Sequence, residues 1–139
     1  MKSVVVDASV AVKWFLSEIY SAQAHALLND HTLYAPDLLF IEVASVLRTR
    51  VLQGELEPKH ARNVLTALGY FPLHVTASPT LIRSALEIAL ETKCSIYDAI
   101  YLALAVQEKV SLVTADQKFF KTIQSTSLRS HVILLTEPG

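Results

Sequence analysis

Residues 3–16, SVVVDASVAVKWFL, contain two hydrophobic patterns that meet at one acidic residue. The run Ser-Val-Val-Val is short and mostly β-branched, as expected for a buried strand. After Asp7 the apolar residues take up helical spacing. We therefore predict a strand followed directly by a helix, with Asp7 at the carboxyl end of the strand.

The same alternation continues along the chain. Further strands are predicted over residues 32–34, 72–75, 111–114 and 131–135. Further helices are predicted over residues 18–28, 37–52, 59–68, 78–91 and 96–106, with a short one from Asp116. Gly54 and Pro58 separate two of these helices, which we expect to form a hairpin. Strands that alternate with helices predict an α/β fold, with a parallel sheet covered by helices on both faces.

Composition predicts one domain over residues 1–139, because 139 residues with 52% hydrophobic side chains suffice for a single core. The longest stretch without Asp, Glu, Lys or Arg, residues 63–82, contains Gly69, Pro72 and Pro79, so no membrane helix is expected. The apolar run at the N-terminus is too short for a signal peptide. We therefore predict a cytoplasmic protein.

Net charge and cysteine content exclude only a few classes of function. Twelve basic and thirteen acidic residues give a net charge of -1, which does not by itself indicate a nucleic-acid partner. A nuclease can still act through local basic patches and bound cations. Cys94 is the only cysteine, which excludes an intramolecular disulfide and a Cys-rich zinc site, and we interpret it as a buried, inert thiol.

Three aspartates occupy positions where both a ligand site and a structural role are possible. Asp7 and Asp116 follow strands, and the carboxyl edge of an open parallel sheet is where ligands bind. Asp98 lies in the first turn of the helix within SIYDAIYLALA. Helix capping, including a capping box from Ser95 to Asp98, explains each of these aspartates equally well when it is taken alone.

Glu42 is the most informative carboxylate, because it lies well inside the helix LLFIEVASVL among apolar residues. Capping does not account for it. An unpaired charge on such a face costs on the order of 3 kcal/mol or more in desolvation. Two explanations remain open: a cation at a functional site, or a buried ion pair with Arg48 or Arg83.

Four acids at one end of a sheet would repel one another, and hard cations with oxygen ligands are the natural compensation. Mg²⁺ or Mn²⁺ fits better than zinc, because the five histidines show no H-x-x-x-H or H-E-x-x-H spacing. Metals held by carboxylates activate water and stabilise phosphate oxygens. This pattern indicates phosphodiester hydrolysis.

Four segments, VVVDASVAVKWF, PDLLFIEVASVL, SIYDAIYLALA and LVTADQKF, follow one another along the chain. In this order they resemble the signature segments of PIN-domain ribonucleases, particularly the VapC-type toxins of bacterial and archaeal toxin-antitoxin pairs. The resemblance implies a three-layer fold with about five parallel strands and endoribonuclease activity. It implies a set of metal ligands and two polar neighbours of the metals: Asp7, Glu42, Asp98 and Asp116 as ligands, with Ser9 and Thr114 beside them.

The resemblance also suggests partners. It implies a homodimer and a cognate antitoxin that covers the acidic groove, for which the apolar residues 20–28 offer a docking surface. Lys13, Arg48 and Arg50 are candidates for contact with the RNA backbone. Trp14 is a candidate for base stacking, although packing in the core is the more common role of a lone aromatic.

Two other classes of protein share part of this pattern. A phosphoacceptor receiver domain also has an Asp after its first strand, but it would need paired acids there and a late lysine. Here Ala8 follows Asp7, and residues 131–139, HVILLTEPG, lack lysine. A non-catalytic PIN-fold binding module, or an RNA-processing nuclease without a toxin role, remains an alternative.

Overall fold

Five strands and seven α-helices alternate over residues 2–136, the part of the chain that the computed structural model describes. The strands β1 to β5 span Lys2–Val6, His31–Pro36, Leu73–Thr76, Ser111–Thr114 and Val132–Leu134. The helices α1 to α7 span Ala8–Ala11, Ser21–Asp30, Leu38–Leu52, Pro58–Leu68, Ile82–Thr92, Ile96–Glu108 and Gln117–Gln124. Met1 and residues 137–139, the two ends of the predicted domain, lie outside the described residues.

The strands form one parallel sheet in the order β3-β2-β1-β4-β5. Val4 of β1 pairs with Leu33 of β2 on one side and with Ser111 of β4 on the other. This arrangement confirms the predicted parallel α/β fold. It also argues against a receiver domain, because receivers order their strands 2-1-3-4-5.

The helices cover both faces of the sheet. The strands β2 and β3 are added on one side of β1, and β4 and β5 are then added on its other side. With right-handed crossovers, the helices between β1 and β3 lie on one face of the sheet, and those leading to β4 and β5 lie on the other. On the first face α2 and α3 contact β2. On the second face α6 contacts β1, β2 and β4, while α7 contacts β5.

Helix α6 forms the centre of the core. Its residues 99–105 are all buried, because the helix lies between the sheet and α5. This position explains why the segment is apolar almost throughout instead of along one stripe. Together with the buried Val4, Val5 and Val6 of β1, it belongs to one hydrophobic cluster.

Several element boundaries differ from the predictions. The segment after Asp7 is α-helical only as far as Ala11 and continues as a 3₁₀ turn at Val12–Trp14, and α2 starts at Ser21 instead of residue 18. Helix α5 starts at Ile82, after a separate 3₁₀ turn at Ser78–Thr80 that contains Pro79. Strand β2 is longer than predicted and extends to Pro36. Strand β5 starts at Val132, because His131 belongs to another 3₁₀ turn. Each difference lies at an element end, where local turns compete with the regular structure.

Three further features of the helices are the contact between α3 and α4, the exposure of α5 and the length of the helices. The predicted hairpin is confirmed, since α3 and α4 contact each other. The apolar residues of α5 are only partly buried: Ala85 is covered, whereas Ile82, Leu86 and Leu90 are 47%, 51% and 69% exposed. Among residues 2–136, no helix combines the length and the apolar character needed to cross a membrane.

Candidate functional site

The candidate site lies where the sheet reverses its strand order, between β1 and β4. In an open α/β sheet, the carboxyl ends of the two strands at such a switch point border a crevice that binds ligands. Asp7 follows β1 directly, and Asp116 follows β4 after Ala115. The two aspartates therefore approach the same crevice from adjacent strands.

Asp7 is the buried acid of the site, with 7% of its surface exposed. Its Oδ1 accepts hydrogen bonds from the Ser9 hydroxyl at 2.5 Å and from the Val10 N–H at 3.3 Å, so Asp7 caps α1. Its Oδ2 accepts a hydrogen bond from the Thr114 hydroxyl at 2.5 Å. Ser9 in turn accepts from the Ala115 N–H at 2.9 Å, which links the ends of β1 and β4.

These contacts set the protonation behaviour of Asp7. Burial raises the pKa of Asp7 to about 6, because the charged form loses hydration. The hydrogen bonds from Ser9 and Thr114 oppose this rise, and the charge of Asp98 adds to it. The two hydroxyls thus favour the ionised carboxylate, as expected for polar groups beside a metal ligand, although that role stays a prediction.

Asp98 and Asp116 line a pocket of about 270 Å³. Asp98 is half-buried in the first turn of α6, where its N–H donates to the Ser95 hydroxyl at 3.1 Å. Asp116 is exposed and caps α7 by accepting from the Phe119 N–H at 3.0 Å. Asp116 is therefore a helix cap, whereas the cap of α6 is Ser95 and Asp98 supplies the capped N–H. Both contacts leave carboxylate oxygens available, so capping and ligand binding do not exclude each other.

Asp98 is the electrostatic centre of the group. Burial raises the pKa of Asp98 to about 6, the Ser95 hydrogen bond opposes the rise, and the carboxylates of Asp116 and Glu42 add to it. Asp98 also raises the pKa of Asp7. All four predicted acids therefore come close enough to interact, with Asp98 coupled to each of the others.

Glu42 reaches this group from the middle of α3 and is half-buried. Within residues 2–136 it forms no ion pair, so the alternative of a buried pair with Arg48 or Arg83 is wrong. Its neighbour is Tyr101 of α6. Burial, followed by Glu42, raises the pKa of the Tyr101 phenol, whose hydroxyl has no hydrogen-bond partner among the described residues.

Tyr101 is a member of the site that sequence reasoning did not identify. It lies three residues after Asp98 in α6, so both side chains point to neighbouring parts of the same helix face. That spacing is visible in the sequence. The residues around Tyr101 are apolar, however, and a tyrosine in such a run is equally well interpreted as a core residue.

The carboxylates fit a hard divalent cation by their chemistry. They supply only oxygen atoms, and repulsion from neighbouring carboxylates adds to the raised pKa of Asp7 and of Asp98. Their charge and atom type suit Mg²⁺ or Mn²⁺. Among residues 2–136, however, no group of three or more His, Cys, Asp or Glu side chains is arranged so that it could hold a metal ion.

The predicted RNA-contact residues occupy different environments. Lys13 is buried and pairs with Glu18 at 3.4 Å, and Arg50 pairs with Glu18 and, at 3.6 Å, with Glu55. Arg48 is exposed on α3. Contact of these three residues with RNA stays a prediction, and Arg48 has the most accessible charge.

The environments of Trp14 and Cys94 differ from two of the suggestions made from sequence, namely base stacking by Trp14 and full burial of Cys94. Trp14 is 5% exposed, donates to the Ala24 carbonyl at 2.9 Å and stacks on Phe71 at 5.2 Å, so it packs in the core and is not placed to stack on a base. Cys94 is half-buried and lines the pocket beside Asp98. Burial raises the pKa of its thiol, so it stays protonated near neutral pH.

The fold and the site together define an α/β domain with an acidic centre at its topological switch point. The PIN domain family matches residues 4–124. The chain is 36% identical over 120 residues to "Ribonuclease VapC1" from Mycobacterium tuberculosis, a match that covers 85% of this chain and 89% of that protein. The chain therefore belongs to the PIN-domain family.

Two solved structures are similar to this fold. One is the M. tuberculosis toxin VapC20, described as cleaving the sarcin-ricin loop, with a TM-score of 0.68, 15% identity and coverage of 84% of this chain and 92% of that one. The other is a toxin-antitoxin complex from Klebsiella pneumoniae, with a TM-score of 0.60, 17% identity and coverage of 97% and 99%. At these identities the likeness establishes the fold.

Proposed function

We propose that this protein is an endoribonuclease that uses Mg²⁺ or Mn²⁺ to hydrolyse RNA phosphodiester bonds. One observation carries the proposal: Asp98 interacts with three further carboxylates that different parts of the fold bring to it, namely Asp7, Glu42 and Asp116. Membership of the PIN-domain family supports nuclease chemistry, and the relative named Ribonuclease VapC1 supports RNA as the substrate.

In this proposal the four acids hold the cation from different directions. Asp7 is the buried ligand, kept ionised and oriented by Ser9 and Thr114. Asp98 and Asp116 act in the pocket, and Glu42 acts from α3. Bound Mg²⁺ or Mn²⁺ supplies an activated water and neutralises charge on phosphate oxygens. All four acids are present, which disfavours the alternative of a non-catalytic PIN-fold module.

We further infer that the protein is the toxin of a type II toxin-antitoxin pair, acts in the cytoplasm and forms a homodimer. The titles of two similar structures, one a VapC toxin and the other a toxin-antitoxin complex, support the toxin role. Two exposed apolar surfaces support protein partners: the stripe formed by Ile82, Leu86 and Leu90, and a groove between α3 and α4 that includes the exposed Leu52 and Leu65. Along the predicted docking segment, residues 20–28, Leu27 and Leu28 are half-buried, so the groove offers the more accessible apolar surface.

The proposed activity is tested with purified protein and RNA in Mg²⁺ or Mn²⁺, with and without a chelator. Asp98→Asn keeps the shape of the side chain but removes the charge at the centre of the group, so cleavage should fall at least about a hundredfold, a loss of roughly 2.7 kcal/mol in transition-state stabilisation. Glu87→Gln on the exposed side of α5 is the matched control and should cleave like the parent.

Cleavage by the parent that persists in chelator, or equal rates for Asp98→Asn and the parent, would contradict the proposal. Growth arrest on expression, lost in Asp98→Asn, would distinguish a toxin from an RNA-processing nuclease.

A further inference from the structure

Two lysines line the pocket that contains Asp98 and Asp116. Lys93 ends α5, and Lys118 lies in the first turn of α7, so they border the pocket from two different helices. Both side chains are exposed. The pocket therefore combines acids suited to a cation with two positive charges at its border.

Neither lysine is neutralised within the fold. In the described part of the chain the ion pairs involve Lys13, Arg50 and His31, and neither Lys93 nor Lys118 forms an ion pair or a side-chain hydrogen bond. This is notable because acidic partners line the same pocket. The two ammonium groups are thus available to a ligand.

The backbone conformation at Lys93 and the position of Lys118 in its helix do not favour lysine. Lys93 has a φ of 65°, a left-handed conformation that glycine or asparagine adopts more easily than lysine. Lys118 places a positive charge at the N-terminus of α7, where the helix dipole favours anions. Because Lys109 adopts the same conformation as Lys93 away from the pocket, the backbone at Lys93 does not by itself indicate a ligand. The position of Lys118 at a helix N-terminus is the feature that helix stability does not explain.

A phosphate backbone fits this pair of charges. The net charge of -1 and the acidic centre do not attract a polyanion, and a cation held by the carboxylates would supply positive charge only at that centre. We propose that Lys93 and Lys118 bind the RNA phosphates that flank the phosphate to be cleaved. This rests on the proposed function and assigns part of the substrate site to two residues outside the acidic group.

The chain offers a matched control for each lysine. Lys109 ends α6 in the same left-handed conformation, with a φ of 58°, but at the far end of this helix from Asp98. The two residues are 11 positions apart, or about 16 Å along the helix axis. Lys121 is exposed in the last turn of α7 and does not line the pocket. Lys93→Asn is therefore compared with Lys109→Asn, and Lys118→Gln with Lys121→Gln.

The first measurement is steady-state cleavage of RNA over a range of KCl concentrations. Each pocket variant should raise KM at least about fivefold with little change in kcat, because it removes a contact made equally by bound substrate and transition state. The slope of log kcat/KM against log salt should become shallower by about 0.7 for each lost phosphate contact. The two control variants should keep the slope of the parent.

The second measurement is binding of a fluorescently labelled RNA oligonucleotide, followed by anisotropy in an Asp98→Asn background, together with a melting curve for each variant. Weaker binding by the pocket variants than by their controls, with matching melting temperatures, is the expected result. KM, salt slope and binding equal to those of the controls would overturn the inference. So would lower melting temperatures with unchanged binding, because the lysines would then only offset repulsion among the acids.

The two proposals fail differently. If the parent does not cleave RNA, the proposed function is wrong, and anisotropy alone decides whether Lys93 and Lys118 bind RNA. If the parent cleaves RNA but the pocket variants match their controls, only the role of the lysines is wrong.

Discussion

Single side chains at the site are held by a small number of contacts. Asp7 receives a hydroxyl on each carboxylate oxygen, from Ser9 and Thr114, and these bonds offset part of the cost of burying it. Among the described residues Glu42 has no comparable support, and the buried hydroxyl of its neighbour Tyr101 lies outside hydrogen-bond geometry. The two sides of the acidic group therefore differ in how firmly the protein itself fixes them.

Glu42→Gln tests whether this residue serves a cation. Because Glu42 forms no ion pair, its neutralisation strands no buried arginine, and we expect the free energy of unfolding to change by less than about 1 kcal/mol. Mn²⁺ affinity and cleavage should both fall. Chemical denaturation with a chelator measures the first effect, with Glu87→Gln as the control. A loss of roughly 3 kcal/mol or more with normal Mn²⁺ affinity would indicate a structural role.

Tyr101→Phe tests the unpaired hydroxyl. A buried polar group without a partner is costly, so its removal should stabilise the protein by up to about 1 kcal/mol. The measurement is the denaturant midpoint at constant m-value. Destabilisation would mean that the hydroxyl is hydrogen-bonded in solution, with Glu42 as the nearest acceptor.

At the scale of elements, the site depends on how α3 is fixed relative to the sheet. Asp37, just before α3, accepts hydrogen bonds from the Ser78 N–H at 2.9 Å and from the Ser78 hydroxyl. These bonds hold the pKa of Asp37 below its ordinary value. They join the start of the helix that carries Glu42 to the turn that precedes α5.

This contact predicts a pH-dependent contribution to stability. A carboxylate whose pKa is lower in the folded state stabilises the fold above its unfolded pKa, and the contribution is lost as pH falls through the folded pKa. Ser78→Ala should therefore lower the melting temperature slightly at pH 7 and less at pH 3. Thr80→Ala, in the same turn, controls for general effects. An equal loss at both pH values would exclude the charged contact as the cause.

Most elements, and the approach of the four acids to one another, could be predicted from sequence because each leaves a local signal, whereas their role as metal ligands stays a prediction. Asp7 and Asp116 follow β-branched strands, and Glu42 interrupts an apolar helix. The lysines of the pocket left no such signal: Lys93 and Lys118 become neighbours only when α5 and α7 assemble around α6. The exposure of Leu86 and Leu90 could likewise not be predicted from sequence. An apolar helix face has the same sequence pattern whether the core or a partner covers it.

At the scale of the molecule, sheet order assembles the site. Placing β4 beside β1 brings Thr114 into contact with Asp7, 107 positions earlier in the chain. Helix α6 then brings Asp98 to the same crevice. The acids repel one another in this arrangement, which gives the protein an electrostatic reason to bind a cation.

The most direct test of the cation site is calorimetric titration with Mn²⁺ of the parent and of Asp116→Asn. Asparagine caps helices about as well as aspartate, so this substitution removes a charge while keeping the bond to the Phe119 N–H. Melting curves in chelator should show that the variant is at least as stable as the parent, because repulsion on Asp98 is relieved. We predict saturable Mn²⁺ binding to the parent and at least about tenfold weaker binding to Asp116→Asn, a difference of roughly 1.4 kcal/mol. Equal Mn²⁺ affinity in the two proteins, or no binding to the parent, would contradict the account.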